Sequence, residues 1–404
     1  MRKIESTFSK LTLERGEIKE TMNLNNLLNF LQTVENIQFF AELQNKKKIS
    51  INETQALLKN NPEKPIKDML SLIELQNKTA KRVQNSRKYI FTAKSSEQCS
   101  SKILTNYHAS KIEHLNIIAD LCCGAGMDLI QLAKNKTKVY AVDADADVLN
   151  IAKFNSQVEE LNNIRFICGK AEEFAEEVEA IFVDPDRRVG NSRQTNPEEH
   201  QPKLSDVLKL HKNLLIKLSP AMNYRKLPDI PNSTLEFVSE NGVMKEILLC
   251  TGIFAEQGVK KKAVILPKII ILKESEKKPE FSKIKQYIFE PDAAVVKAGL
   301  TSELGVETGF LPIMHIPELL TGSEEVFSGF GALYEILEIN KYTLKLLQKY
   351  IKDNGIGVLE LKTKGFPHSV EEFRKKLKLK GKNKALIMII RQGAEHDFLI
   401  LNRK

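Results

Sequence analysis

Five short, unbroken apolar runs follow one another between residues 117 and 220: IIADLCC, KVYAVD, IRFICG, AIFVDP and NLLIKLSP. The intervals MDLIQLAKN, DVLNIAKFNSQVEE, AEEFAEE and LSDVLKLHK carry helical periodicity. An apolar run without alternation fits a strand buried on both faces, and strict strand–helix alternation fits a parallel, doubly wound sheet. The end of this region narrows the choice. LEFVSE and VMKEILLC are separated by Asn241-Gly242, the strongest short-range hairpin signal, so the last two strands should be antiparallel neighbours. A plain dinucleotide-binding sheet does not end that way. An α/β sheet of seven strands with its last strand reversed does.

A chain of 404 residues is too long for one ordinary domain. We expect a helical N-terminal region over 1–112, the α/β domain over 113–272, and two small α+β units over 282–325 and 326–404. In the first region LNNLLNFLQ and ETQALLKN space their apolar residues by three and four, and Pro62 and Pro65 mark a break after them. Met22 precedes the first convincing helix, so residues 1–21 are expected to be a loose extension or a misassigned start. The segment 89–111 leads into the α/β domain and is placed to fold over its active site. AVILPKIIILK reads as a further strand pair, and the charged KESEKKPEFSK as the boundary after it. IGVLELKTK, a helix in VEEFRKKLKLK, then ALIMIIR and HDFLILN give a strand–helix–strand–strand order, which suits a ferredoxin-like layer.

Two motifs inside the α/β domain carry chemistry. The first strand ends in Asp120-Leu121-Cys122-Cys123-Gly124-Ala125-Gly126, and the next strand ends at Asp143. Glycines permit a sharp turn and close approach of a ligand, and an acid about 20 residues on is placed to accept from ribose hydroxyls. A pyrophosphate fingerprint would need a small residue where Leu129 stands, and Asp128 adds negative charge there. Both disfavour NAD and FAD and suit a sulfonium nucleoside. After the third strand, Glu172 is placed either to accept from an adenine amino group or to cap the following helix. The second motif is the end of the fourth strand, Phe182-Val183-Asp184-Pro185-Asp186-Arg187-Arg188. Ligands of open parallel sheets bind outside the carboxyl ends of the strands, which puts Asp184 and Pro185 beside the reacting group. Arg187 and Arg188 are expected either to hold an anionic acceptor or to pair internally with Asp186.

The run DLCCGAGMD, VYAVDADADVLNIAKFN, FVDPDRR, LLIKLSP and SENGVMKEILL resembles the class I S-adenosylmethionine-dependent methyltransferases. Among them it is similar to bacterial proteins with an Asp-Pro-Ala-Arg-Arg motif and a C-terminal THUMP-like domain. EPDAAVVKAGL (290–300) and FPHSVEEFRKKLKLKGKNKALIMII (366–390) extend the likeness to the end of the chain. The resemblance implies S-adenosyl-L-methionine as cofactor, with Asp120, Gly124, Gly126, Asp143, Glu172 and Asp184 around it. It implies catalytic roles at Asp184, Pro185, Arg187 and Arg188. Three departures stand out. Cys122 replaces the first glycine of the loop, and Asp186 replaces the family's alanine. Pro185 is followed by Asp186 rather than by the aromatic residue that clamps a target base in exocyclic-amine methyltransferases, so N6-adenine and N4-cytosine chemistry is not supported. Cytosine-C5 chemistry needs a cysteine nucleophile, and Cys250 is the remote candidate outside the cofactor loop, more readily read as a core residue.

A formal charge of +9 favours a polyanionic partner. Much of it gathers at Lys362, Lys364, Arg374, Lys375, Lys376, Lys378, Lys380, Lys382 and Lys384, opposed by Glu371 and Glu372. That density is expected of backbone-directed nucleic-acid binding, and THUMP domains imply structured RNA. Few aromatics interleave with the run, so stacking on single-stranded bases is not indicated. The alternatives are an RNA-binding protein that keeps a cofactor pocket without turnover, and a small-molecule methyltransferase. Five scattered cysteines without CxxC spacing point to a reducing, cytoplasmic compartment and to no metal site. No secretory signal or membrane span is expected from the apolar pattern.

Overall fold

The computed structural model describes residues 22–46, 49–186, 188–189, 192–276 and 280–404. The expectation for residues 1–21 lies outside them. The chain forms two compact units, Met1–Glu179 and Ala180–Lys404.

The first unit opens with four helices: α1 (Leu24–Phe30), α2 (Val34–Asn45), α3 (Ile51–Asn60) and α4 (Ile66–Thr79). Their starts are set by side-chain caps at Asn23, Thr33 and Ser50, the last in a reciprocal capping box with Glu53. Pro62 and Pro65 fall between α3 and α4, as their chemistry requires. Leu27, Leu43, Ile66, Met69 and Leu72 form the shared core, and Ile90, Ala125 and Ile151 join it. Next come α5 (Ala93–Gln98), α6 (Lys102–Lys111), β1 (Ile117–Leu121), α7 (Met127–Leu132), β2 (Lys138–Asp143), α8 (Ala146–Val158) and β3 (Ile164–Cys168). The three strands are parallel, in the order β1-β2-β3. AEEFAEE does not form a helix: only the single turn Ala171–Glu173 forms. It has four glutamates and no apolar stripe long enough to hold a helix against a core.

The second unit contains β4 (Ala180–Val183), β5 (Arg188–Val189), β6 (Ser192–Arg193), α9 (Leu204–Leu210), β7 (Leu214–Leu218), β8 (Ser233–Glu240), β9 (Val243–Thr251), β10 (Lys261–Leu266) and β11 (Ile270–Lys273). Apart from the small β5–β6 ribbon, their order is β11-β10-β8-β9-β7-β4. β9 runs antiparallel to both β7 and β8, which is the reversed seventh strand. The β8–β9 turn has Asn241 at φ 52° and Gly242 at φ 79°, the two left-handed positions a tight hairpin turn demands. β10 and β11 are the further strand pair read in AVILPKIIILK, and they pair antiparallel.

The same unit continues with β12 (Tyr287–Pro291), α10 (Ala293–Ala298), α11 (Thr301–Thr308), β13 (Leu311–Ile313), β14 (Ile316–Gly322), β15 (Gly331–Lys341), α12 (Leu344–Asp353), β16 (Ile356–Lys364), α13 (Val370–Arg374), β17 (Asn383–Gln392) and β18 (Glu395–Arg403). Its seven strands make one sheet, β13-β14-β12-β15-β18-β17-β16. The strand–helix–strand–strand reading of the tail corresponds to β16, α13, β17 and β18. The helix is shorter than expected, because after Arg374 the buried residues Leu377 and the half-buried Leu379 alternate with exposed lysines, a period that suits extended chain.

Candidate active site

In the first unit the turn after β1 is built for close approach. Gly124 has φ 56°, and a Cβ placed there would meet nothing within 4 Å. Gly126 has φ 83°, and a Cβ placed there would lie 3.2 Å from the Ala152 Cα of α8, closer than packing comfortably allows. Asp143 closes the turn: its Oδ2 accepts from the Gly124 amide at 3.0 Å and its Oδ1 from the Asp145 amide at 3.1 Å. Burial pushes the Asp143 carboxyl above the ordinary aspartate range, against the pull of those two amides. The third strand joins the same corner, because the Gly169 amide donates to the Asp143 carbonyl at 3.1 Å. An open cradle at Gly124 beside a half-buried carboxylate fits the ribose and amino-acid portions of S-adenosylmethionine. Glu172 is exposed on the turn that follows Gly169. Asp120 is buried at the end of β1, 1% exposed.

Asp128 has a different place from the one its position in the sequence indicates. Its carboxylate is turned into the protein, accepting from Ser100 Oγ at 2.7 Å and lying 2.7 Å from His108 Nδ1, with His108 fully buried. It anchors α7 to α6 rather than repelling a phosphate. The segment before α5 is also tied to the cofactor turn. Asn155 of α8, fully buried, accepts from the Ile90 amide at 2.8 Å and donates to the carbonyls of Ile90 at 3.0 Å and Ala125 at 2.8 Å. Lys94 of α5 is near enough to lower the Asp143 pKa by its charge. Asn155 leaves no signal in residue type, because its partners are backbone groups.

In the second unit Asp184 follows β4 and takes a salt bridge from Lys217 Nζ at 2.6 Å. The Lys217 side chain is 3% exposed and that of Asp184 27%. Lys217 lies in β7, inside the run LLIKLSP, where an odd charge in an apolar strand was the signal for a buried partner. Asp186 exchanges backbone hydrogen bonds with Gln201 at 2.9 and 3.1 Å. Arg187 lies outside the described residues, and for Arg188 the backbone of β5 is described. Cys250 is fully buried in β9, out of reach of a base. Cys123 is buried as well, and burial, then the charges of Asp120 and Asp143, push its thiol well above the usual range. Neither supports C5 chemistry.

A family model described as a methyltransferase domain matches residues 113–215. A second, described as THUMP domain-like, matches residues 331–404. The chain carries a methyltransferase domain followed by a THUMP-like domain. An uncharacterised S-adenosylmethionine-dependent methyltransferase of Mycobacterium tuberculosis is 23% identical over 315 residues, 76% of this chain and 86% of that protein. A tRNA (uracil(54)-C(5))-methyltransferase of Saccharomyces cerevisiae is 32% identical over 77 residues, 18% of this chain and 12% of that protein. The crystal structure of a candidate methyltransferase from Porphyromonas gingivalis covers 91% of this chain and 96% of its own, with a TM-score of 0.72 at 20% identity. The methyltransferase fold with its added C-terminal sheet is thus shared along nearly the whole chain. Among the described residues no group of His, Cys, Asp and Glu could hold a metal ion, and no helix is long and apolar enough to cross a membrane.

Proposed function

We propose that this chain methylates RNA, with S-adenosylmethionine bound at the turn after β1 and the C-terminal region gripping the RNA. The observation that carries the reading is the Gly124–Asp143 hydrogen bond beside an open glycine cradle, in a chain that also has a THUMP-like domain. The cofactor supplies an electrophilic methyl on a positive sulfur that leaves as a thioether. The protein's part is alignment of the acceptor and removal of any proton it carries. Asp143 holds the ribose hydroxyls, Glu172 takes the adenine side, and Asp120 and Gly126 fix the turn. Asp184, oriented by Lys217, accepts the acceptor's proton, with the Pro185-linked carbonyl as its aligning neighbour. Arg187 and Arg188 hold an RNA phosphate. The labour divides along the boundaries 1–112, 113–272, 282–325 and 326–404.

Purified chain given methyl-labelled cofactor and RNA from a related bacterium should move label into RNA. Label in protein or in small molecules instead rejects the RNA acceptor. Asp143→Ala should weaken cofactor binding by about 1.5–3 kcal/mol, the worth of hydrogen bonds to a charged group. A dissociation constant unchanged by calorimetry removes Asp143 from the ribose.

A further inference from the structure

In the second unit β4, β7, β8 and β10 all point the same way, since β7 is parallel to β4, β9 is reversed between β7 and β8, and β10 is parallel to β8. Their carboxyl ends therefore share one edge, the edge where ligands of such sheets bind. A cavity of about 1450 Å³ opens along it, lined by Pro220 just after β7, Asn241 after β8 and Lys268 after β10. Most of its remaining lining comes from α10, the 327–329 segment and the C-terminal sheet. That volume exceeds the range of roughly 300–1,000 Å³ usual for small-molecule pockets.

Six cationic side chains line this cleft, Lys268, Lys297, Lys362, Lys364, Arg403 and Lys404, against the carboxylates of Glu290 and Asp292. Asp292 is engaged in capping α10, accepting from the Ala294 amide at 2.8 Å. Glu290 gathers Lys362 at 2.6 Å and Lys364 at 3.0 Å, which sets two ammonium groups side by side. Arg403 is steered by the Tyr334 hydroxyl at 3.3 Å and by Glu360 at 2.9 Å. Ordered cations in a concave site suit a phosphodiester backbone better than cations scattered on a convex surface. Phe327 also lines the cleft and is 71% exposed. An exposed ring beside ordered cations recognises unstacked bases, which a duplex does not offer.

We propose that this cleft, rather than the lysine run at 374–384, is where the chain grips RNA: a single-stranded segment lies with its phosphates on the lysines and Arg403 and one base on Phe327. The segment leads along the strand ends toward Asp184, which follows β4, the strand next to β7. Neighbouring strand ends are about 4.8 Å apart, so a strand gripped beside Pro220 ends next to Asp184. The inference rests on RNA being the acceptor. The 374–384 run has its apolar residues Phe373 and Leu377 turned inward and its lysines spread over open surface, where each contributes to long-range attraction only.

The test uses the full chain and a fluorescent oligouridylate of about 12 nucleotides, within the site sizes of single-strand binders, titrated at two salt concentrations. The double variant Lys268→Glu, Lys297→Glu should raise the dissociation constant more than tenfold and flatten the salt dependence by at least about 0.7 per lost phosphate contact. Phe327→Ala should weaken binding at least fivefold with the salt dependence kept. Lys376→Glu with Lys378→Glu should change affinity less than threefold. Loss of binding in the 376/378 variant, with the cleft variants unaffected, overturns the cleft while label transfer to RNA still upholds the acceptor. An unaltered chain that neither binds this RNA nor labels any RNA overturns both.

Discussion

Asp184→Ala should abolish methyl transfer and also cost on the order of 3 kcal/mol of stability. The structural part follows from Lys217, whose ammonium lies 2.6 Å from the carboxylate on a side chain 3% exposed. Removing one partner of a buried pair leaves the other charge in a medium that solvates it poorly. The two effects separate in a second variant. Asp184→Ala combined with Lys217→Met removes both charges at similar volume and should return the denaturant midpoint to near that of the unaltered chain. Transfer of label should stay absent. A double variant that regains transfer would make Asp184 a structural residue only, and a single variant as stable as its parent would remove the buried pair from the account.

The other large effect is expected in the first unit. Asn155→Ala deletes three hydrogen bonds at once and leaves the Ile90 amide, the Ile90 carbonyl and the Ala125 carbonyl without the partner they have at 2.8–3.0 Å. Each buried backbone group left so costs about 1–3 kcal/mol, and water entering the new space recovers part, so a loss of roughly 3 kcal/mol is expected. Cofactor affinity should fall with it, because Ala125 lies between the two glycines of the turn. Hydrogen exchange reads this directly: the Ile90 amide should lose protection well ahead of β1 and β2. Unchanged protection at Ile90 would show that the segment before α5 is held by its apolar contacts alone.

Neither partner of these pairs could be chosen from the sequence. The lysine in LLIKLSP was visible as an odd charge in an apolar strand, but nothing local said that its carboxylate lay 33 residues earlier at Asp184. Asn155 sits 65 residues from Ile90 and binds main-chain groups, which leave no trace in residue type. Asp128 shows the converse. Its position beside the glycine turn points to the ligand, and only the packing of α6 reveals that Ser100 and His108 claim it. Phe327 carries no local signal, since its value lies in lining one cleft with lysines from β16 and the chain terminus.

What the sequence determined by itself is local: strand and helix periods, the Asn241-Gly242 turn, the glycines before α7 and the acid ending β2. These are legible because steric limits on φ and the side-chain period act over a few residues, whatever the rest of the chain does. Tertiary structure decided that β10 joins the sheet beside β8, the single sheet that joins β12 to β15, the partners of the buried charges, and the cleft. Those depend on which distant surfaces exclude water together, and burial rewards many residue choices almost equally, so composition records that a core exists without recording who meets whom.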